Sequence, residues 1–171
     1  YVFDVIESIL SDGVTSRLHE RLGRETKVAV SVDADTSFPG SRTPNLFVIS
    51  AAPRAPHTTA EVEAEVYAEL ERLQTEPVTQ RELEKVLNNL DAALTRSLRS
   101  SSGLAGSLSY YQTVAGDWQY LIKGRDRIAA VTAADVQRVA KQYFSRSHRT
   151  VVTLVKTPGT ERMAQRPKPG I

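Results

Sequence analysis

The amino-acid sequence predicts an α+β domain, in which an antiparallel or mixed sheet carries a layer of helices. Three segments have the composition of strands, at residues 27–35, 45–53 and 149–157. Between the second and the third, from residue 58, apolar side chains recur at the three- and four-residue spacing of helices. Strands at the margins of a long helical run are typical of the α+β class.

Length and composition restrict the classes of protein to consider. The chain has 171 residues, of which 40% are hydrophobic and 25% charged, so it is long enough for one domain with its own core. We assign this domain to residues 1–157 and predict a loose, proline-containing tail at residues 158–171. No glycine-rich phosphate loop occurs, which argues against a doubly wound nucleotide-binding fold.

Charge, cysteine content and hydropathy exclude further classes. The formal charge is +2 and basic residues are interleaved with acidic ones, so we expect no nucleic-acid partner. The absence of cysteine excludes disulfides, thiolate catalysis and iron–sulfur ligation. No apolar run approaches the roughly 20 residues of a membrane span, and we expect none. Because the chain begins at Tyr1 inside an amphipathic segment, we expect it to be part of a longer protein.

Two short helices are predicted before the first strand. The first has apolar residues at helical spacing and ends at Asp12 and Gly13. Thr15 or Ser16 can cap the second, and we expect Gly23 to end it. The apolar positions of the first helix are Val2, Ile6, Ile9 and Leu10.

The first two strands are predicted from residue alternation and β-propensity. In residues 27–35, alternation places Val28, Val30 and Val32 on one buried face. A loop with two prolines and a glycine leads to residues 45–53, which are rich in β-forming residues. Two strands joined in this way suggest an antiparallel pair.

The helical run carries strong start signals. Thr58 with Glu61, and Thr79 with Glu82, fit the capping box, in which a hydroxyl and a carboxylate satisfy free amides at a helix start. Thr132 caps a last helix, which precedes the predicted strand at residues 149–157.

The segment RLHERLG, residues 17–23, approaches the zinc motif H-E-x-x-H. His19 and Glu20 open that pattern, but Gly23 stands where the second histidine is required. The other two histidines, His57 and His148, are isolated, whereas zinc hydrolases need at least two imidazoles on one helix face. We therefore predict neither a metal site nor a catalytic residue in this chain, and we interpret the histidines as surface residues.

Four segments carry a family resemblance, in the same order along nearly the whole chain. They are DGVTSRLHERLGRETKVAVSVDAD, EPVTQRELEKVLNNL, IAAVTAADVQRVAKQYF and RTVVTLVKTP. Together they resemble the insulinase/pitrilysin family of zinc metallopeptidases, which includes the mitochondrial processing peptidase. The resemblance implies that each half of the enzyme is a pair of similar α+β domains and that the two halves close on an extended peptide. This chain looks like most of the second domain of such a pair.

The resemblance also implies where the chemistry lies. The family's zinc motif, H-x-x-E-H, belongs to the first domain of the catalytic half and is absent here. The non-catalytic half often contributes an arginine and, seven residues on, a tyrosine that hold substrate near the zinc. In this chain Gly23 and Val30 stand at those two positions. Arg21 or Arg24 can replace the basic group, although no tyrosine follows either at that spacing. Our substrate-binding candidates are Arg21, Arg24 and Val30.

Two interpretations of the function follow from the resemblance. In the first, the chain is the carboxy-terminal domain of a zinc metalloendopeptidase, and it walls the chamber and binds peptide substrate. In the second, it belongs to a non-catalytic partner or scaffold subunit of the same family. A peptide could add to the edge of the strand at residues 27–35 or 45–53 through main-chain hydrogen bonds.

The resemblance sets the expected cofactor, partners and location. Zinc is expected in the full-length catalytic protein or its partner, and no cofactor in this fragment. The expected partners are a peptide substrate, an amino-terminal domain and a homologous subunit. A periplasmic or secreted location is favoured because bacterial family members are often exported, and a cytoplasmic one is the alternative.

Overall fold

The computed structural model describes residues 1–40 and 44–154. In chain order its elements are α1 (Val2–Ser11), a π-helical segment (His19–Glu25), β1 (Ala29–Phe38), β2 (Leu46–Pro53), α2 (Thr59–Thr75), α3 (Gln80–Leu98), α4 (Ser101–Ala115), α5 (Tyr120–Ala129), α6 (Ala133–Tyr143) and a 3₁₀ turn (Arg146–His148). In these ranges β1 and β2 form a two-stranded antiparallel sheet. The predicted α+β class is confirmed. No helix in the described ranges combines the length and apolar character of a membrane span.

The core lies where α1, β1, α2 and α6 meet. In the predicted apolar stripe of α1, Ile6 and Leu10 are fully inaccessible to solvent, Ile9 is buried and Val2 is partly buried. An aromatic cluster joins three elements, because the ring of Phe47 lies 5.9 Å from that of Phe3 and 5.1 Å from that of Phe144. One carboxylate, Glu69, is also buried, and the Nη1 group of Arg72 donates a hydrogen bond to it over 2.9 Å.

The three predicted helix starts are confirmed. Thr58, Thr79 and Thr132 each accept a hydrogen bond from the backbone amide three residues on, and the acidic residue there bonds back to the threonine amide. These contacts are local, so residues three apart in the sequence suffice to predict them.

Val30 does not share a face with Val28 and Val32. Ala29 pairs with Pro53 and Ser31 with Ala52, so a β-bulge leaves Val30 without a partner on β2. A bulge inserts one residue into one strand and shifts the side-chain alternation. Val28 and Val32 are therefore buried, whereas Val30 is 67% exposed. The prediction that all three valines lie on one buried face was wrong at this residue.

Gly23 does not end the helix in which it lies. The π-helical segment continues to Glu25, and the amide of Thr26 donates to the carbonyl of Arg21 over 3.0 Å. The left-handed residue that follows is Lys27, at φ 56°. Helices commonly end at such a residue, and glycine is its usual but not its required identity.

The third predicted strand, residues 149–157, does not form over residues 149–154. Val152 is 90% and Leu154 93% exposed. The guanidinium of Arg149 lies 3.7 Å from the centre of the Tyr67 ring instead. The composition of this segment favours an extended backbone, but a β-strand also requires a neighbouring strand with which to form hydrogen bonds. The rest of this segment and the predicted tail at residues 158–171 lie outside the described residues.

Candidate functional site

The three histidines lie in separate places, and each has local contacts. The Oγ of Ser16 lies 2.9 Å from Nδ1 of His19, and Nδ1 of His57 lies 3.3 Å from Glu61. His148 ends the 3₁₀ turn. Across residues 1–40 and 44–154, no three His, Asp or Glu side chains are grouped so that they could hold a metal ion. The residues that the structure describes therefore do not fit a zinc ion.

Arg21 and Arg24 lie on the π-helical segment, which packs against β1. The Nε group of Arg21 donates to Glu65 on α2 over 2.7 Å, and its Nη1 group donates to Glu25 over 3.1 Å. The hydrogen bond with Glu65 is the main reason that the pKa of Arg21 is raised. Arg24 is more exposed and lies 3.5 Å from Glu20. Both guanidinium groups are thus already paired with carboxylates of this chain.

Val30 lies in the bulge of β1 and projects an apolar side chain to solvent. The position therefore faces outward, although valine offers no hydrogen-bonding group to a substrate. The structure places Val30 on β1, separate from the helical segment that carries both arginines. Their roles as substrate-binding residues stay predictions.

A groove of about 520 Å³ lies between α1 and β1. One wall is the polar stripe of α1, and the other is formed by residues 33–36 of β1. The α1 wall comprises Asp4, Glu7, Ser8 and Ser11 of the helix and Asp12, the residue that follows it. Successive side chains of a strand point to opposite faces, so a groove that touches four in a row runs along the strand's edge. This is the edge of β1 that β2 does not occupy.

Glu7 crosses this groove and contacts β1. Its Oε2 atom accepts hydrogen bonds from the backbone amide of Thr36 over 3.1 Å and from the Thr36 hydroxyl over 2.6 Å. Burial is the largest influence on the pKa of Glu7 and raises it, the hydrogen bonds from Thr36 lower it, and the net direction is upward. Asp4 and Asp35 also raise this pKa through charge repulsion. Glu7 is thus a partly buried carboxylate among other acids.

Sequence reasoning missed the groove, although one signal for its α1 wall is visible. The polar residues of that wall recur at positions 4, 7, 8, 11 and 12, which is the helical spacing of a single stripe. Such a stripe is usually solvated, and nothing local indicates that it faces a strand. The approach of Glu7 to Thr36 joins residues 29 positions apart and depends on the tertiary fold.

Comparison with known protein families assigns this fold. The family model described as the peptidase M16 inactive domain matches residues 1–90, which include α1, the π-helical segment and both strands. This chain belongs to the peptidase M16 family. The M16 assignment confirms the resemblance to the insulinase/pitrilysin metallopeptidases, and it identifies the chain as the inactive second domain.

Individual relatives agree with the M16 assignment. The chain is 30% identical over 152 residues to the zinc protease PqqE of Helicobacter pylori, covering 88% of this chain and 33% of that protein. The inactive peptidase domain of a Bordetella parapertussis protein superimposes with a TM-score of 0.73 at 29% identity, covering 88% of this chain and 80% of that one. A Helicobacter pylori protease matches with a TM-score of 0.77 at 26% identity, covering 86% and 35% respectively.

This chain covers a different fraction of each M16 relative. It spans about one third of both Helicobacter pylori proteins, but most of the Bordetella parapertussis domain. A peptidase M16 inactive domain from Pseudomonas fluorescens, at 18% identity and a TM-score of 0.67, shares the fold.

Proposed function

We propose that this M16 inactive domain helps to wall the chamber of a zinc metalloendopeptidase and to bind extended peptide substrates. The observation that carries the proposal is the outer edge of β1, which has no paired strand within the described residues and is bordered by a groove, with the Thr36 amide of that edge bonded to Glu7. An extended peptide can add to such an edge through main-chain hydrogen bonds, with little demand on side chains.

The proposed role of the domain does not include the hydrolysis of the peptide bond. The described residues offer no group of side chains that could hold zinc, and zinc supplies the activated water in peptidases of this class. Zinc is therefore proposed to reside in an amino-terminal domain or in a homologous partner subunit. The zinc protease PqqE, of which this chain matches one third, supports a larger catalytic protein.

A second candidate function is that of a non-catalytic partner or scaffold subunit. The absence of the substrate-holding arginine and tyrosine favours the first candidate over this one, because the non-catalytic half of the family often contributes that pair and Gly23 and Val30 stand at those positions here. The two candidates differ in the polypeptide that carries this domain. An H-x-x-E-H motif in the same polypeptide supports the catalytic protein, whereas its absence there supports the partner subunit.

Peptide binding is tested by titrating the isotope-labelled chain with an extended peptide and recording backbone amide signals. We expect shifts in β1, with the amides of α4 and α5 as internal controls, because these helices lie outside the groove. If the amide signals of both strands stay unmoved at saturating peptide concentration, the peptide-binding part of the proposal is wrong.

A further inference from the structure

The contact between Glu7 and Thr36 occupies part of the outer edge of β1. The backbone amide of Thr36 donates to Oε2 of Glu7 over 3.1 Å, and the Thr36 hydroxyl donates to the same oxygen over 2.6 Å. Thr36 lies in the irregular stretch of the ladder between Asp35 and Phe38 and has no partner residue on β2. Its amide is therefore satisfied by a side chain of α1 and is not free to bond another strand.

The Glu7 contact is long-range, and a side-chain rotation can break it. At the same end of β1, Asp35 accepts hydrogen bonds from the amide and the hydroxyl of Ser37, two residues on, which is a local turn contact. Glu7 instead reaches β1 from α1, 29 positions before Thr36. Because a glutamate side chain has several rotatable bonds, Glu7 can leave Thr36 without a movement of α1.

The surroundings of Glu7 disfavour its charged form. Glu7 is partly buried, and burial is the largest cause that raises its pKa. Asp4 on α1 and Asp35 on β1 raise the pKa further by charge repulsion. Within the described residues no lysine or arginine lines the groove, whose other acidic residues are Asp12 and Asp33. The contact with β1 is therefore made by a carboxylate that has acids, and no cation, beside it in the groove.

We propose that Glu7 is a latch on the outer edge of β1, which closes this edge to an extended peptide while it holds Thr36 and opens it on release. A peptide that adds at this edge must displace Glu7 from the Thr36 amide. The apparent dissociation constant is then that of the open edge divided by the fraction of molecules whose latch is open. This inference rests on the proposed peptide-binding function and adds its regulation.

The test compares the intact chain with two variants that open the latch by different routes. Glu7→Ala removes the carboxylate. Thr36→Val removes the hydroxyl donor but keeps the backbone amide and the β-branched shape. Asp33→Asn is the matched control, because it removes a groove charge at a residue with no described side-chain hydrogen bond. The probe is an uncharged nonapeptide with blocked ends, followed by calorimetry and by amide shifts in the labelled chain.

Both latch variants are expected to bind the peptide more tightly than the wild type. The expected gain in affinity is about five- to thirty-fold for Glu7→Ala and about three- to ten-fold for Thr36→Val. Asp33→Asn should change the affinity by less than about two-fold, because the peptide carries no charge. Without peptide, the Thr36 amide should exchange its hydrogen with solvent faster in Glu7→Ala than in the wild type. The amide spectrum of each variant shows whether it is folded.

The latch should also open in acid. Because the pKa of Glu7 is raised, its carboxylate takes up a proton at a higher pH than an unperturbed glutamate does. A protonated carboxyl is a weaker acceptor, so the wild-type affinity should approach that of Glu7→Ala as the pH falls from about 7 to about 5. Asp35 stays charged over this range, because hydrogen bonds from Ser37 lower its pKa.

The results distinguish the latch from the function on which it rests. Peptide binding by Glu7→Ala but not by the wild type would support both. Equal affinities of the wild type and both latch variants, with amide shifts at residues 33–36, would overturn the latch and leave peptide binding intact. Unchanged exchange of the Thr36 amide in Glu7→Ala would also overturn the latch. If no protein shows amide shifts in β1 or β2, peptide binding is wrong and the latch with it.

Discussion

Arg17 and Glu82, which are 65 residues apart in the sequence, form a bidentate ion pair. The Nε group of Arg17 donates to Oε1 of Glu82 over 2.6 Å, and its Nη2 group donates to Oε2 over 3.0 Å. Their side chains are only 13% and 25% exposed. Glu82 also completes the capping box of α3 through Thr79. One carboxylate thus starts a helix and connects it to the segment before the π-helical turn.

Replacement of Glu82 should destabilise the domain more than replacement of a matched capping residue. Glu82→Gln removes the charge that pairs with Arg17 and leaves a mostly buried guanidinium without its partner. Glu61→Gln changes the equivalent capping-box residue of α2, which has no ion pair with an arginine. We expect Glu82→Gln to cost about 1–3 kcal/mol more in the free energy of unfolding than Glu61→Gln. Equal costs in urea denaturation would contradict this prediction.

The same pair predicts a loss of stability in acid. Burial alone would raise the pKa of Glu82, but hydrogen bonds from Arg17 and Thr79 outweigh it and lower the pKa from 4.5 to about 2. The stability from this depressed pKa is fully present above the unfolded value and is lost as the pH falls toward 2. The stability difference between the wild type and Glu82→Gln should therefore shrink as the pH falls from about 5 to about 2. A stability difference that is constant over this range would show that the Arg17–Glu82 pair does not cause the loss of stability in acid.

The bulge in β1 predicts opposite outcomes at two valines. Val32→Thr places a hydroxyl in the core, where Val32 is 4% exposed, and should cost about 1–3 kcal/mol of unfolding free energy. Val30→Thr makes the same substitution at a residue that is 67% exposed, so it should change the free energy of unfolding by no more than about 0.5 kcal/mol. Both residues are β-branched before and after the change, so strand propensity is controlled. Equal costs at the two positions would mean that Val30 is buried as the alternation predicts.

Two glycines of α4 should respond differently to alanine. A Cβ atom at Gly103 would collide with the backbone carbonyl oxygen of Ser97, which cannot move without shifting the end of α3. Gly106 has no neighbour within 4 Å of that position. Gly106→Ala should stabilise the domain by about 0.5–1 kcal/mol, and Gly103→Ala should destabilise it by about 1–3 kcal/mol. Thermal denaturation of both variants checks the sign, and stabilisation by Gly103→Ala would disprove the close approach.

The chain alone should neither retain zinc nor cleave peptides. It has no described group of metal-binding side chains, and H-x-x-E-H is absent from its sequence. After chelation and dialysis against trace zinc, elemental analysis should find no stoichiometric metal, and a test peptide should stay intact. His19→Ala is the control for the near-match in RLHERLG, and it should leave both readouts unchanged. Stoichiometric zinc that is bound by the wild type and lost in His19→Ala would indicate a metal site at His19 and contradict the prediction.

Several features of this domain are determined by the sequence alone, because they depend on nearby residues. The capping boxes at Thr58, Thr79 and Thr132 and the apolar stripe of α1 follow from spacing within one or two turns. Strand propensity likewise locates the antiparallel pair to within a few residues. The ordered family segments identify the M16 relationship.

Only the tertiary structure decided the features that depend on contacts between distant segments. The bulge that exposes Val30 requires the register of β1 on β2, and residues 149–154 lack a strand because propensity supplies no partner. The groove exists because α1 turns its acidic stripe toward the free edge of β1, where Glu7 meets Thr36. Spacing along the chain cannot predict such approaches, since they follow from how the elements bury their apolar faces together.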